Sequence, residues 1–144
     1  MEITNPRGRF DYDILDKWEA GLRLTGAEVK SVRAGSMSLK GSYITIHNEE
    51  VYLINAHIGL YAKAIQKGYN PTQSRKLLLH KKEIKRLIGL TQQKGLTLVP
   101  LKVYSSHNKL KLEFGLGRGR SRIDKRAVIK KRDIDREVKT AFSS

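Results

Sequence analysis

Tyr12-Asp13-Ile14-Leu15-Asp16-Lys17-Trp18-Glu19-Ala20-Gly21-Leu22-Arg23-Leu24 is the stretch on which the fold turns. Its even positions are Tyr12, Ile14, Asp16, Trp18, Ala20, Leu22 and Leu24, and six of these seven are apolar. Side chains alternate across a pleated strand, so a period of two marks one long, half-buried strand. A helix would gather Ile14, Leu15 and Trp18 on one face with Gly21 as its cap, but it leaves Leu22 and Leu24 without a reason. The strand is the reading adopted.

Downstream, Thr25-Gly26-Ala27-Glu28 has the spacing of a capping box, and Gly35 supplies the stop of a short amphipathic helix. Lys30 and Arg33 share one face of it. Tyr43 to His47 and Val51 to Ile54 are rich in β-branched and aromatic residues and flank Asn48-Glu49-Glu50, which predicts a hairpin. Residues 59 to 75 read as a long loop; its Tyr61 and Tyr69 either stack on bases or pin the loop to the fold. Lys81 to Lys94 carries Ile84, Leu87, Ile88 and Thr91 on one face, which predicts a helix ended by Gly95. Leu96 to Tyr104 and Lys109 to Leu116 return to period two around Ser105-Ser106-His107-Asn108, a second hairpin.

About five strands with inserted helices predict a mainly β domain. A small sheet hides its edges most simply by closing, so the architecture expected is an OB-fold-like closed antiparallel barrel over residues 10–116. Residues 1–9, with Asn5-Pro6-Arg7-Gly8-Arg9, read as a flexible basic arm before it. Residues 117–144 hold ten basic and four acidic side chains and read as a basic tail, disordered when free. Ile134, Val138 and Phe142 recur every four residues, so part of that tail is expected to become helical when bound.

The composition narrows the function. With 29 basic against 14 acidic residues the 144-residue chain has a formal charge of +15, and its pI is near 10.2. A polyanionic partner is the first inference. A mean hydropathy of −0.49 leaves no apolar run of about 20 residues for a membrane helix. There is no cysteine, hence no disulfide or thiolate metal site. The start lacks a basic segment followed by an apolar one, so a cytosolic protein is expected.

Catalysis finds little support. His47, His57, His80 and His107 have no ligand-like or triad-like spacing, and no Gly-Lys-Ser/Thr loop follows a strand. No enzyme activity, cofactor, metal or small-molecule substrate is expected. Basic residues instead lie in the arm, the first helix, the Arg75-Lys76 region, the second helix and the tail, which implies an extended footprint on structured RNA. Gly117-Arg118-Gly119-Arg120 suits RNA, because glycine lets the backbone approach phosphate and arginine offers a forked donor and a stacking plane. The plainer reading of that segment is a solvated linker.

Longer strings then add a resemblance. Trp18-Glu19-Ala20-Gly21-Leu22, Gly26-Ala27-Glu28-Val29-Lys30-Ser31-Val32-Arg33-Ala34-Gly35, Asn70-Pro71-Thr72, Arg75-Lys76-Leu77-Leu78-Leu79 and Asp124-Lys125-Arg126 together resemble the small protein B family, the SsrA-binding proteins of bacteria. The resemblance implies an adaptor that binds the tRNA-like domain of transfer-messenger RNA and accompanies it to stalled ribosomes for trans-translation. It implies RNA contacts at Glu19, Leu78 and Lys111. It also implies that the tail acts in the vacant mRNA channel and decoding centre against ribosomal RNA. The candidate barrel contacts are thus Glu19, Lys30, Arg33, Arg75, Lys76, Leu78 and Lys111. The candidate tail contacts are Gly119, Arg120, Arg122, Asp124, Lys125, Arg126, Lys130, Lys131 and Arg132. Plainer roles stand beside them: strand-surface charge for Glu19, core leucine for Leu78, solvated lysine for Lys111. Ile123 departs from the polar residue that often precedes Asp-Lys-Arg in such proteins. The alternative function is a general or ribosomal RNA-chaperone barrel.

Overall fold

The computed structural model describes residues 1–60 and 68–120. Among the described residues there are nine strands and three helices: β1 (Glu2–Thr4), α1 (Pro6–Asp11), β2 (Tyr12–Leu22), α2 (Gly26–Arg33), β3 (Met37–Ser38), β4 (Tyr43–His47), β5 (Glu50–Ile54), β6 (His57–Ile58), β7 (Arg75–Leu78), α3 (Lys81–Thr91), β8 (Leu96–Ser106) and β9 (Lys109–Gly119). Seven strands form one antiparallel sheet in the order β1-β8-β9-β2-β7-β5-β4, and β3 pairs with β6 separately.

The long period-two stretch is β2, and it organises the sheet. One of its edges pairs with β9 from Tyr12 opposite Gly119 to Gly21 opposite Lys111, while the other takes β7 at Gly21 and Leu22. A bulge between Ile14 and Asp16 interrupts the β9 pairing and leaves Leu15 half exposed. Trp18 stacks on Phe114 of β9, with centroids 6.0 Å apart. Phe114, Leu112, Leu53, Leu77, Val51 and Val103 fill the core, and α2 and α3 add Val32 and Leu87 to it. Both hairpins turn through two residues of positive φ, Asn48-Glu49 and His107-Asn108, as a primed turn requires.

Two expectations are corrected, and a third, closure of the barrel, is not shown by the strand pairing. Residues 1–9 are not a loose arm: β1 pairs with β8, and the Asn5 amide and side chain donate to Leu101 O and Pro100 O, each at 2.8 Å. Gly8 lies so close to β8 that a Cβ there would sit 2.9 Å from Val99 Cγ1. The basic tail does not begin at 117, since Gly117, Arg118 and Gly119 complete β9. Nor does pairing close the sheet. β1 and β4 are its two edges, and residues 102–104 of β8 are already hydrogen-bonded to β1.

β7 escaped the sequence reading because an arginine holds one of its inward places. The strand alternates Arg75 and Leu77 inward with Lys76 and Leu78 outward. No described helix is long and apolar enough to cross a membrane.

Candidate nucleic-acid interface

The β8–β9 register places Tyr104 opposite Lys111, and the β2–β9 register places Lys111 opposite Gly21, two residues from Glu19. Three side chains from neighbouring strands therefore meet on one outer face. Lys111 Nζ lies 2.6 Å from Glu19 Oε1, and the Tyr104 hydroxyl donates to Glu19 Oε2. Lys111, then Tyr104, holds the Glu19 carboxyl below the usual range. Burial and the same carboxylate push the Tyr104 phenol up, so it stays a donor. The result is a fixed, ionised acceptor flanked by a cation.

Glu19 and Lys111 form one wall of an open groove of about 530 Å³, which Ala20, Gly21, Lys76, Leu78, His80, Lys81 and Glu83 also line, and Tyr104 holds Glu19 from outside it. Leu78 is 51% exposed, so its core reading is wrong. It packs over Gly21, where an added Cβ would lie 3.4 Å from Leu78 Cβ. Across the groove, Lys76 Nζ lies 2.9 Å from Glu50 Oε1, and the Tyr52 hydroxyl donates to Glu50 Oε2 at 2.5 Å. Tyr52 and Lys76 face each other in the β5–β7 register, just as Tyr104 and Lys111 do in the β8–β9 register. Two Glu-Tyr-Lys groups thus flank Leu78. The Tyr52 bond, then Lys76, lowers the Glu50 carboxyl.

Four carboxylates (Glu19, Glu49, Glu50 and Glu83) accompany three lysines in this groove. Such a lining disfavours a run of phosphates. It suits base edges and ribose hydroxyls, which carry donors, and an apolar side chain that packs on an exposed base.

Arg75, a candidate contact, is corrected. It is 2% exposed and ion-paired to Glu28, with Nη2 at 2.8 Å from Glu28 Oε2. Its other bonds run to Ala56 O, Pro71 O and the Tyr69 hydroxyl. Burial raises the Glu28 carboxyl, but the Thr25 amide and Arg75, among others, overcome it and leave its pKa lowered. A guanidinium with this many internal partners ties α2 and the 68–75 segment to the sheet and has nothing to give RNA. Tyr69 joins this network and takes the pinning role; Tyr61 lies outside the described residues.

Glu19, Lys76, Leu78 and Lys111 are brought together, but Lys30 and Arg33 are not. Both are exposed on α2 and neither lines the groove; Arg33 donates to Asn108 O at 2.8 Å, at the β8–β9 turn. Gly119 ends β9, and Arg120 follows it with its amide on Asp11 O and its guanidinium 3.5 Å from Asp13. Arg122, Ile123, Asp124, Lys125, Arg126, Lys130, Lys131 and Arg132 lie outside the described residues. Sequence reasoning missed Tyr104, Glu50 and Tyr52. The signal for Tyr104 was the turn: a two-residue His107-Asn108 connection forces it opposite Lys111. Among the described residues, no cluster of three or more histidine or carboxylate side chains is placed to hold a metal.

Comparison with known proteins gives the family. The family model described as "SmpB protein" matches residues 2–144. An SsrA-binding protein of Sulfurihydrogenibium sp. (strain YO3AOP1) is 47% identical over 139 residues, or 96% of this chain and 91% of its own. One from Shouchella clausii (strain KSM-K16) is 49% identical over 138 residues, or 96% and 88%. A solved structure described as "tmRNA-SmpB: a journey to the center of the bacterial ribosome" contains a chain 46% identical in sequence. It matches at a TM-score of 0.69 and covers 84% of this chain and 85% of its own.

Proposed function

This chain belongs to the SmpB family of SsrA-binding proteins, and from that premise we propose how its surface performs the family's task. The protein binds transfer-messenger RNA and serves trans-translation on the ribosome. Its groove takes unpaired bases of the tRNA-like domain. Glu19 accepts from a base or ribose donor, Leu78 packs on a base face, and Lys111 pairs with a phosphate at the rim. The observation that carries this reading is the convergence of Glu19, Lys111 and Leu78 on one open groove, with carboxylate and ammonium already oriented by each other and by the Tyr104 hydroxyl.

The sheet serves as an OB-like barrel, curled so that β4 lies near β8. The tail beyond Arg120 acts in the vacant mRNA channel and decoding centre, where Lys125, Arg126 and the basic run 130–132 meet ribosomal RNA phosphates. The protein is an adaptor of the cytoplasm and performs no chemistry of its own. The test is binding of the full chain to transfer-messenger RNA and to unstructured RNA of equal length. Marked preference for the former is expected; equal affinity returns the general RNA-chaperone reading.

A further inference from the structure

The Glu50–Lys76 pair is also the shared wall of a second groove, bordered by Arg23, Leu24, Thr25, Tyr52, Gln73 and Ser74 above the buried Glu28 and Arg75. Its charge differs from that of its neighbour. Arg75 is matched by Glu28 and Lys76 by Glu50, so exposed Arg23 supplies an excess of positive charge among the lining residues. Arg23 is also well anchored: its amide donates to Lys76 O at 3.0 Å, which extends the β2–β7 pairing by one residue. The two cations facing this groove thus sit on adjacent, hydrogen-bonded backbone. A guanidinium there offers phosphate a forked donor, and Glu50, the carboxylate that feels its charge, is already bonded to Lys76 and Tyr52.

We infer that the second groove binds the sugar–phosphate backbone of the same RNA whose bases occupy the first, with Arg23 and Lys76 as neighbouring phosphate contacts and Glu50 as the residue that positions Lys76. This rests on the RNA-binding reading of the first groove. The division follows from the linings: carboxylate-rich and apolar where bases enter, net basic where the backbone leaves.

The experiment measures affinity for the tRNA-like domain of transfer-messenger RNA across a salt series, with backbone-cleavage footprinting, for the full chain and for Arg23→Gln, Arg23→Lys, Lys76→Gln and Lys111→Ala. Arg23→Gln is expected to flatten the log–log salt slope by about 0.7 to 0.9. Its affinity loss is then about threefold larger at about 50 mM than at about 200 mM salt. Its footprint should lose backbone protection at nucleotides that Lys111→Ala leaves protected, and Arg23→Lys should restore the slope. An unchanged slope and footprint in Arg23→Gln and Lys76→Gln, with Lys111→Ala still weakened, overturns the second groove and leaves the first intact. If Lys111→Ala also binds normally, both readings fall.

Discussion

Lys111 and Glu19 lie on adjacent strands with Nζ 2.6 Å from Oε1, so the cation proposed to meet RNA is already held by the carboxylate proposed to read it. A phosphate approaching Lys111 comes within reach of Glu19 and is repelled unless a donor group arrives with it. The pair therefore favours selectivity over raw affinity, as interfacial charge arrangements commonly do.

Glu19→Gln is accordingly expected to raise affinity for unstructured RNA while lowering preference for transfer-messenger RNA. The measurement is the ratio of the two dissociation constants at fixed salt, which should fall by about tenfold, the value of one charged hydrogen bond of roughly 1.5 kcal/mol. Lys111→Ala should instead weaken both RNAs and flatten the salt slope by about 0.7 to 0.9.

The same pair can be titrated. Lys111 and then Tyr104 lower the Glu19 carboxyl, so carbon-detected NMR of its side chain should give a pKa below the usual glutamate value of about 4.3. In Lys111→Ala the value should climb back toward that range, and in Tyr104→Phe it should climb by less. No movement in Lys111→Ala contradicts the pairing.

Burial sets the outcome at Arg75. Removing one partner of an enclosed ion pair leaves the other charge without solvent, so Arg75→Ala and Glu28→Gln should each cost about 3 to 5 kcal/mol in denaturant unfolding. The pH sign follows from Glu28. Its folded pKa is lowered, so its stabilisation is complete above the unfolded value and is lost as pH falls through the folded one. The unsubstituted chain should therefore lose stability below about pH 4.3, and that portion of the loss should be missing in Glu28→Gln.

Glycines locate the end of the sheet. A Cβ at Gly117 would meet Val99 Cγ2 at 2.9 Å and Tyr12 Cβ at 3.0 Å, whereas none at Gly119 has a neighbour within 4 Å. Gly117→Ala should destabilise by about 1 to 3 kcal/mol in thermal unfolding, and Gly119→Ala by no more than about 0.5. Equal effects contradict the extension of β9 past 116.

Particular residues explain how far the sequence could be read. β2, α2, α3 and both hairpins were legible because apolar periodicity and turn chemistry are local signals: Trp18 to Leu22 alternates, and Thr25 caps Glu28 as its spacing implies. β1, α1 and β7 were not, because what holds them is non-local. Asn5 and Gly8 dock through backbone hydrogen bonds and close approach, and Arg75 occupies a core position only because Glu28, 47 residues away, neutralises it. For the same reason Arg75 was read as an RNA contact: a buried arginine and a surface one look alike until the partner is known. Lys111 and Leu78 came from the resemblance. Tyr104 and Glu50 needed the strand register that only folding supplies.

The role proposed for the tail predicts a defect after RNA binding. Replacing Asp124, Lys125 and Arg126 together with alanine should abolish peptide tagging on stalled ribosomes while the purified RNA complex keeps its affinity. Tagging that persists contradicts the assignment of that step to the tail.

Competition binding of the full chain at physiological salt, with labelled transfer-messenger RNA against ordinary tRNA and unstructured RNA, decides whether the groove reads one RNA. The unsubstituted protein should retain transfer-messenger RNA against a large excess of either competitor, and Glu19→Gln should surrender it. Equal displacement by all three RNAs, or a Glu19→Gln protein as selective as the original, contradicts recognition by this groove.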